Sequence, residues 1–165
     1  MITTIQNYVQ TQIQGLQGAY GGAGLEAWVD PPVGGIASLE TPQAYVLATS
    51  GDGKRQTMAG LAGFYQQLHH VYVQVGWAML ANTPDGNLAF TNLLDTIIAT
   101  IRANYTGAIF VRDPVTGQET QLLVIGDTLN YKYIPQMNLG EDGSSWIVYS
   151  AQIDFLVEEK IQQNT

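Results

Sequence analysis

The chain contains no cysteine, and few of its residues carry a charge. Without cysteine there is no disulfide, no thiolate metal site and no cysteine nucleophile. Charged residues make up 12% of the 165 positions, which is about half of the roughly 25% usual in soluble domains. A surface this poor in charge is typical of subunits that bury much of it against other subunits. We therefore predict a protein that assembles.

Basic residues are scarcer than acidic ones, six against fourteen, so the formal net charge is −8. This balance disfavours specific binding to a nucleic-acid backbone, whereas an acidic wall lets DNA slide past without adhering. The chain has no run of 18 apolar residues that would predict a transmembrane helix. Its N-terminus lacks the basic start and apolar run of a signal peptide, so we expect a chain that works in, or is assembled in, a cytoplasm.

Hydrophobic periodicity predicts two helices and several strands. The first helical stripe consists of Ile2, Ile5, Val9, Ile13 and Leu16, and a second helix is expected from about 88 to 104. Alternating segments predict strands at 43–49, 69–79, 109–112 and 147–158, with a hairpin partner after the turn DPVTG. We predict one α+β domain over residues 1–165: a mainly antiparallel sheet with the N-terminal helix and the central helix packed on one face.

Two segments interrupt this pattern, a Gly/Pro-rich passage at 18–42 and a glycine-rich loop at 51–67. The passage contains GLEAWV, which predicts a short strand. The loop contains GDGK, but a phosphate-binding loop requires GxxxxGK followed by Ser or Thr, and here Arg55 follows the lysine. A long loop inside a compact domain is often functional. We interpret this one as a basic loop that contacts an acidic partner.

The only two histidines, His69 and His70, are adjacent. Neighbouring residues of a strand point to opposite faces, so the two rings do not easily hold one metal ion. We interpret them as a partly solvated pair at the start of a core strand, and Glu158 and Glu159 as solvated charges. No GxSxG elbow is present for serine catalysis. The prediction is no catalytic, cofactor-binding or metal-binding residue, with the residues Trp28, Trp77 and Trp146 in the core or an interface.

The order of these elements resembles that of the tail terminator, or tail-completion, proteins of long-tailed bacteriophages. An N-terminal amphipathic helix leads through a Pro-rich passage to QAYVLAT, and a glycine-rich loop leads to HHVYVQVGWAML. The helix NLLDTIIATIRANY follows, and the β-rich second half closes on WIVYSAQIDFLVEEK. The resemblance covers most of the chain, and other small neck proteins of these phages are similar to it.

The resemblance implies a structural virion protein of the tail and neck region, not an enzyme. Its subunits would form a closed ring, commonly a hexamer, that ends growth of the tail-tube protein, joins the head–tail connector or stopper protein, and lets DNA pass without specific binding. Position and composition make the loop the expected contact, through Lys54, Arg55, Met58, Leu61 and Phe64. Two alternatives stay open: another neck, connector or tail-tube subunit, and a small α+β enzyme or ligand-binding domain with a concave pocket.

Overall fold

The structure is a computed structural model that describes residues 2–18, 23–30, 41–56, 64–103, 109–112, 119–139 and 145–162. Within these residues the chain forms two helices and six strands, which confirms the predicted α+β class. The elements are α1 (Ile2–Ile13), β1 (Glu26–Trp28), β2 (Gln43–Gln56), β3 (Phe64–Leu80), α2 (Gly86–Ala103), β4 (Ile109–Arg112), β5 (Glu119–Leu139) and β6 (Trp146–Gln162).

The six strands form one sheet in the order β1-β2-β3-β6-β5-β4. β1 runs parallel to β2, and every other neighbouring pair is antiparallel. The last strand, β6, lies at the centre beside β3, and the two pair without interruption from Phe64↔Gln162 to Leu80↔Trp146. The sheet is therefore mainly antiparallel, as predicted.

Both helices pack on one face of this sheet, and the core lies between them and the strands. α1 buries Ile5, Val9 and Ile13, which belong to the predicted stripe. The helical spacing that predicts the second helix is a stripe from Phe90 to Tyr105, of which Tyr105 lies outside the described residues. α2 buries the other members, which are Phe90, Leu93, Leu94, Ile97, Ile98 and Ile101. These side chains form one cluster with alternate residues of β2, β3 and β6, because successive residues of a strand point to opposite faces.

Backbone and glutamine hydrogen bonds fasten α1 to the edge of the sheet. The helix is followed by Gly15 at φ +77°, a conformation that glycine adopts without steric cost. The N–H of Gly15 donates to the Leu25 carbonyl at 2.8 Å. Gln14 Oε1 accepts from the N–H of Ala27 at 2.8 Å, and Gln10 Nε2 donates to the Ala27 carbonyl at 2.9 Å. β1, confirmed as the short strand predicted in GLEAWV, is held in this way from two sides.

The loop predicted at 51–67 is wrong at both of its ends, because β2 extends to Gln56 and β3 begins at Phe64. The two strands pair through Lys54↔Gln66 and Arg55↔Tyr65 after a bulge between Ser50 and Gly53. Within that bulge, a Cβ on Gly51 would lie 2.5 Å from the Leu68 carbonyl oxygen. The absence of a side chain at Gly51 therefore allows β2 and β3 to approach closely. The pairing of these strands uses backbone hydrogen bonds, so it occurs without the apolar alternation from which strands are predicted. The remaining positions, 57–63, lie outside the described residues, as do 19–22 and 31–40 of the predicted passage.

The central strands are longer than the helices that cover them. A strand of 17 residues, such as β3 or β6, extends about 56 Å, whereas the 18 residues of α2 extend about 27 Å. α2 therefore covers at most about half of the length of β3 and β6. The opposite face of the sheet carries no helix among the residues that the structure describes.

Candidate functional site

The uncovered side of the sheet, which we name the open face, carries the even-numbered residues of β3 and β6. Its central rows run across four strands, for example Tyr45↔Gln74↔Gln152↔Lys132. Large apolar side chains are exposed in it, with Leu47 43% and Ile134 42% exposed. The open face is thus a broad surface of neutral polar and apolar groups.

The open face is nearly free of net charge. Its described charged side chains are Glu26, Lys132, Asp154, Glu158 and Lys160. Three acids and two bases leave one net negative charge, whereas all the described side chains together include seven acids and three bases, a net of −4. Two copies of a chain this acidic repel each other. A contact between copies is less opposed where acidic and basic side chains nearly balance, so the open face is the candidate assembly surface.

A shallow concavity, which we name the socket, lies in the open face. Its cavity volume is about 260 Å³, and Tyr45, Gly76, Ile134, Val148 and Ser150 are among its lining residues. The small residues Gly76 and Ser150 are paired across β3 and β6, and a Cβ on Gly76 would have no atom within 4 Å. Since pockets for small ligands usually measure about 300–1,000 Å³, the socket suits a single inserted side chain. Burial raises the pKa of the Tyr45 phenol above 10.0.

A second exposed apolar patch, which we name the tyrosine edge, consists of Leu88, Tyr131 and Tyr133. Their side chains are 42%, 54% and 43% exposed. Tyr131 and Tyr133 pair with Ile153 and Ala151, both buried in the core, so these tyrosines point to the helix side of the sheet.

Contacts with the start of α2 hold the tyrosine edge in place. The hydroxyl of Tyr133 shares a 2.8 Å hydrogen bond with Thr91 Oγ1, and its ring meets the edge of Phe90 at a centroid distance of 6.0 Å. Leu88 lies one helical turn from Thr91. The tyrosine edge and the socket therefore lie on opposite faces of one rigid sheet.

The two histidines lie on opposite faces of β3, as the strand geometry predicts, but only one of them is solvated. His70 is exposed on the open face. His69 is 1% exposed, and its Nε2 shares a 2.5 Å hydrogen bond with Oε2 of Glu159, which is also 1% exposed. The expectation of a partly solvated pair is therefore wrong for His69, because it shares the core face with Val71 and Val157.

The expectation that Glu158 and Glu159 are solvated is also wrong. Glu158 is 9% exposed, and its Oε1 accepts from Gln66 Nε2 at 2.6 Å and lies 3.2 Å from Lys160 Nζ. Strand alternation places Glu159 two residues after Val157 on the core face, where His69 meets it. The signal was present in the spacing, since each second residue from Ala151 to Val157 is buried.

The buried His69–Glu159 pair has the composition of a general base and its orienting carboxylate, but its setting differs from that of an active site. Nδ1 of His69 and Oε1 of Glu159 are both buried, and neither has a hydrogen-bond partner among the described atoms. The structure does not bring Asp95 or Asp154 to this pair, because Asp95 is exposed on α2 and Asp154 lies on the open face. The pair is best understood as a polar contact that joins β3 to β6.

Among the described residues, no three histidine or carboxylate side chains are grouped as ligands for a metal ion. Within the same residues, no helix is long and apolar enough to cross a membrane. Trp77 packs against the core cluster, and Trp28 and Trp146 are half-buried on the open face.

The structure places three of the five predicted contact residues at the end of the sheet away from α2. Lys54 and Arg55 lie on β2, and Phe64 begins β3 opposite Gln56. Met58 and Leu61 lie outside the described residues. The sequence pattern did not predict the socket or the tyrosine edge. The alternation of β3 did predict a polar face of the sheet. The socket lies in that face, so the alternation was the available indication of where to find it.

Scans against protein-family models and against curated protein sequences find no match to this chain.

Proposed function

We propose that this chain is a structural virion protein that forms a closed ring at the head-proximal end of a phage tail. In this role the ring ends growth of the tail tube and offers a joining surface to the head connector. The observation that carries the proposal is the open face: a wide sheet surface whose described side chains carry one net negative charge. The order of elements resembles that of tail terminators, and this resemblance is the reason for proposing a phage tail as the assembly.

The size of the surface is adequate for this role. Each subunit of a ring makes two contacts, and a standard interface buries about 800 Å² per partner. Two such contacts would use about 1,600 Å², or roughly a sixth of the 9680 Å² accessible surface of the chain. The open face and the opposite, helix-bearing side with its tyrosine edge provide two separate areas for them.

The excess of acid elsewhere on the chain fits the passage of DNA. With fourteen acidic and six basic residues, a ring lined by this chain repels the phosphate backbone, and a repelled duplex slides without adhering. No cofactor, metal ion or membrane has a part in this function, because its work is limited to protein–protein contacts.

The test is the mass of the purified protein, measured by size-exclusion chromatography with light scattering over about a hundredfold range of protomer concentration. We expect a single closed oligomer, and a hexamer is the leading stoichiometry. Electron microscopy should show rings that stop at one layer and that bind the end of tubes when tail-tube protein is added. A strict monomer, unchanged by tube protein, would refute the proposal. Open cylinders of the chain alone would replace it with a tube subunit.

A further inference from the structure

Two exposed apolar patches on this chain have complementary shapes. The socket is a neutral depression whose floor includes the hydrogen-only side of Gly76. The tyrosine edge projects Tyr131, which is 54% exposed and the most exposed of the large hydrophobic residues described. The socket is concave and has polar groups on its rim, whereas the tyrosine edge presents a convex aromatic side chain with a hydroxyl at its tip.

We propose that the socket of one copy receives the tyrosine edge of a second copy, with Tyr131 as the inserted side chain. The inference rests on the proposed function in so far as both require copies of this chain to meet. Charge supports a second copy as the occupant, since in this acidic chain the residues that line the socket and the three residues of the tyrosine edge are all uncharged. Self-repulsion is therefore weak where these two patches meet.

Rigidity favours Tyr131 as the side chain that inserts. It stands two residues from Tyr133 on the same face of β5, and Tyr133 is held by Thr91 and Phe90 of α2. A tyrosine presented by a fixed strand loses little conformational freedom on binding, and tyrosines are enriched among residues that dominate interface energy. Its hydroxyl would meet polar groups of the rim, such as Ser150.

The geometry of the contact determines the symmetry of the assembly. The socket and the tyrosine edge lie on opposite faces of the sheet, so one copy uses one patch and its neighbour uses the other. Such a contact is heterologous, and its repetition produces a ring when the rotation closes. A two-fold dimer would need both patches within one interface, and their positions on opposite faces of the sheet oppose this.

The first experiment fills the socket or removes the inserted side chain. Gly76→Leu starts from a position where a Cβ meets nothing within 4 Å, and Ser150→Leu is a second filling variant. Tyr131→Ser removes the aromatic ring. Each variant should weaken self-association at least about tenfold in sedimentation equilibrium, while circular dichroism and thermal unfolding stay those of a folded chain.

Matched controls come from exposed neighbours of the same strands. Thr49→Leu adds an apolar side chain to the open face outside the socket, and Asn130→Ser changes the exposed residue beside Tyr131 that points to the other face. Both should weaken association clearly less than the socket and Tyr131 variants do. Association lost equally in the controls would overturn the assignment of this contact.

Mixing two defective variants gives the sharpest test. Gly76→Leu retains a working tyrosine edge, and Tyr131→Ser retains a working socket, so an equimolar mixture should form one-to-one heterodimers that grow no further. If Gly76→Leu abolishes association and Tyr131→Ser leaves it unchanged, the open face meets a different surface and the inference fails. If both variants still form rings, the inference fails and the proposed function stands. If the unsubstituted protein is a monomer, both fail.

Discussion

Replacing His69 by alanine should destabilise the protein far more than the same replacement at His70, the next residue. His69 and Glu159 are each 1% exposed and share a 2.5 Å hydrogen bond. Removing one partner of a buried pair leaves the other without compensation, which costs about 3–5 kcal/mol. His70 is exposed on the open face, where a substitution changes the free energy of unfolding by about 0.5 kcal/mol or less.

Urea unfolding followed by circular dichroism measures this difference, at one protomer concentration so that assembly contributes equally. With an m-value of about 2 kcal/mol/M, a loss of about 3 kcal/mol lowers the midpoint by about 1.5 M. Such a loss is a large share of the 5–15 kcal/mol typical of folded domains. The midpoint of His70→Ala should stay within about 0.3 M of the starting protein.

A double substitution distinguishes the value of the His69–Glu159 contact itself from the cost of leaving one of the two polar side chains buried without its partner. Nδ1 of His69 and Oε1 of Glu159 are already buried without partners among the described atoms. Replacing both residues by leucine removes these polar groups together, and exchanging a buried pair for apolar groups is often neutral or stabilising. We expect the double variant to be more stable than either single alanine variant. A cost below about 1 kcal/mol for His69→Ala, or equal costs at His69 and His70, would refute this account.

Three further predictions concern the bulge, the helix anchor and an open-face phenol. Gly51→Ala should cost about 1–3 kcal/mol, since its Cβ would lie 2.5 Å from the Leu68 carbonyl oxygen; thermal unfolding measures it. Gln14→Ala should cost about 1–3 kcal/mol in urea unfolding, because the buried N–H of Ala27 loses its 2.8 Å acceptor. Burial raises the Tyr45 pKa above 10.0, so stability should fall as the pH rises from 10.0 towards the higher folded value, measured by alkaline unfolding.

Each of these predictions has a control in the chain. Gly76→Ala adds the same methyl group where nothing lies within 4 Å, and at a protomer concentration below that of assembly it should leave the melting temperature unchanged or higher. Gln17→Ala alters an exposed glutamine after α1 and should have no measurable effect. Tyr45→Phe should reduce the alkaline loss of stability. An equal response of control and variant would contradict the corresponding mechanism.

The periodic elements of this fold could be predicted because their burial follows local geometry. The stripe from Phe90 to Ile101 lies within α2, which begins two residues before the predicted start and ends one residue before the predicted end. Val71, Val73 and Val75 are buried on the predicted face of β3. In both cases only one side of the element is covered, so buried apolar residues recur with the period of the helix or of the strand.

The extension of β2 and β3 into the glycine-rich segment was not predicted, because its cause is not local. Residues such as Gly51 and Gly53 have no strand preference of their own. Pairing with neighbouring strands keeps them extended, and β6 supplies an unbroken partner for β3 as far as Phe64. A tertiary contact overrides local propensity here, so composition alone indicated a loop.

The candidate sites were harder to predict than the fold for a related reason. Glu159 continues the buried face after Val157, but a charge at the end of a strand is usually solvated, and only the position of His69 shows why it is not. The exposure of Tyr131 depends on how far α2 reaches across β5. The spacing of residues indicates the face on which Glu159 lies, but the partner of Glu159 and the exposure of Tyr131 depend on which elements meet in space.

The central position of β6 also affects how the chain folds while it is being synthesised on the ribosome. His69 and Glu159 are 90 residues apart, a stretch that takes roughly 5–20 s to translate. During that interval a nascent β2–β3 hairpin presents an unpaired backbone edge along β3, and such edges recruit foreign strands. Completion of the sheet must await the arrival of residues 146–162. Slow translation or overexpression should therefore produce inclusion bodies unless a chaperone shields β3.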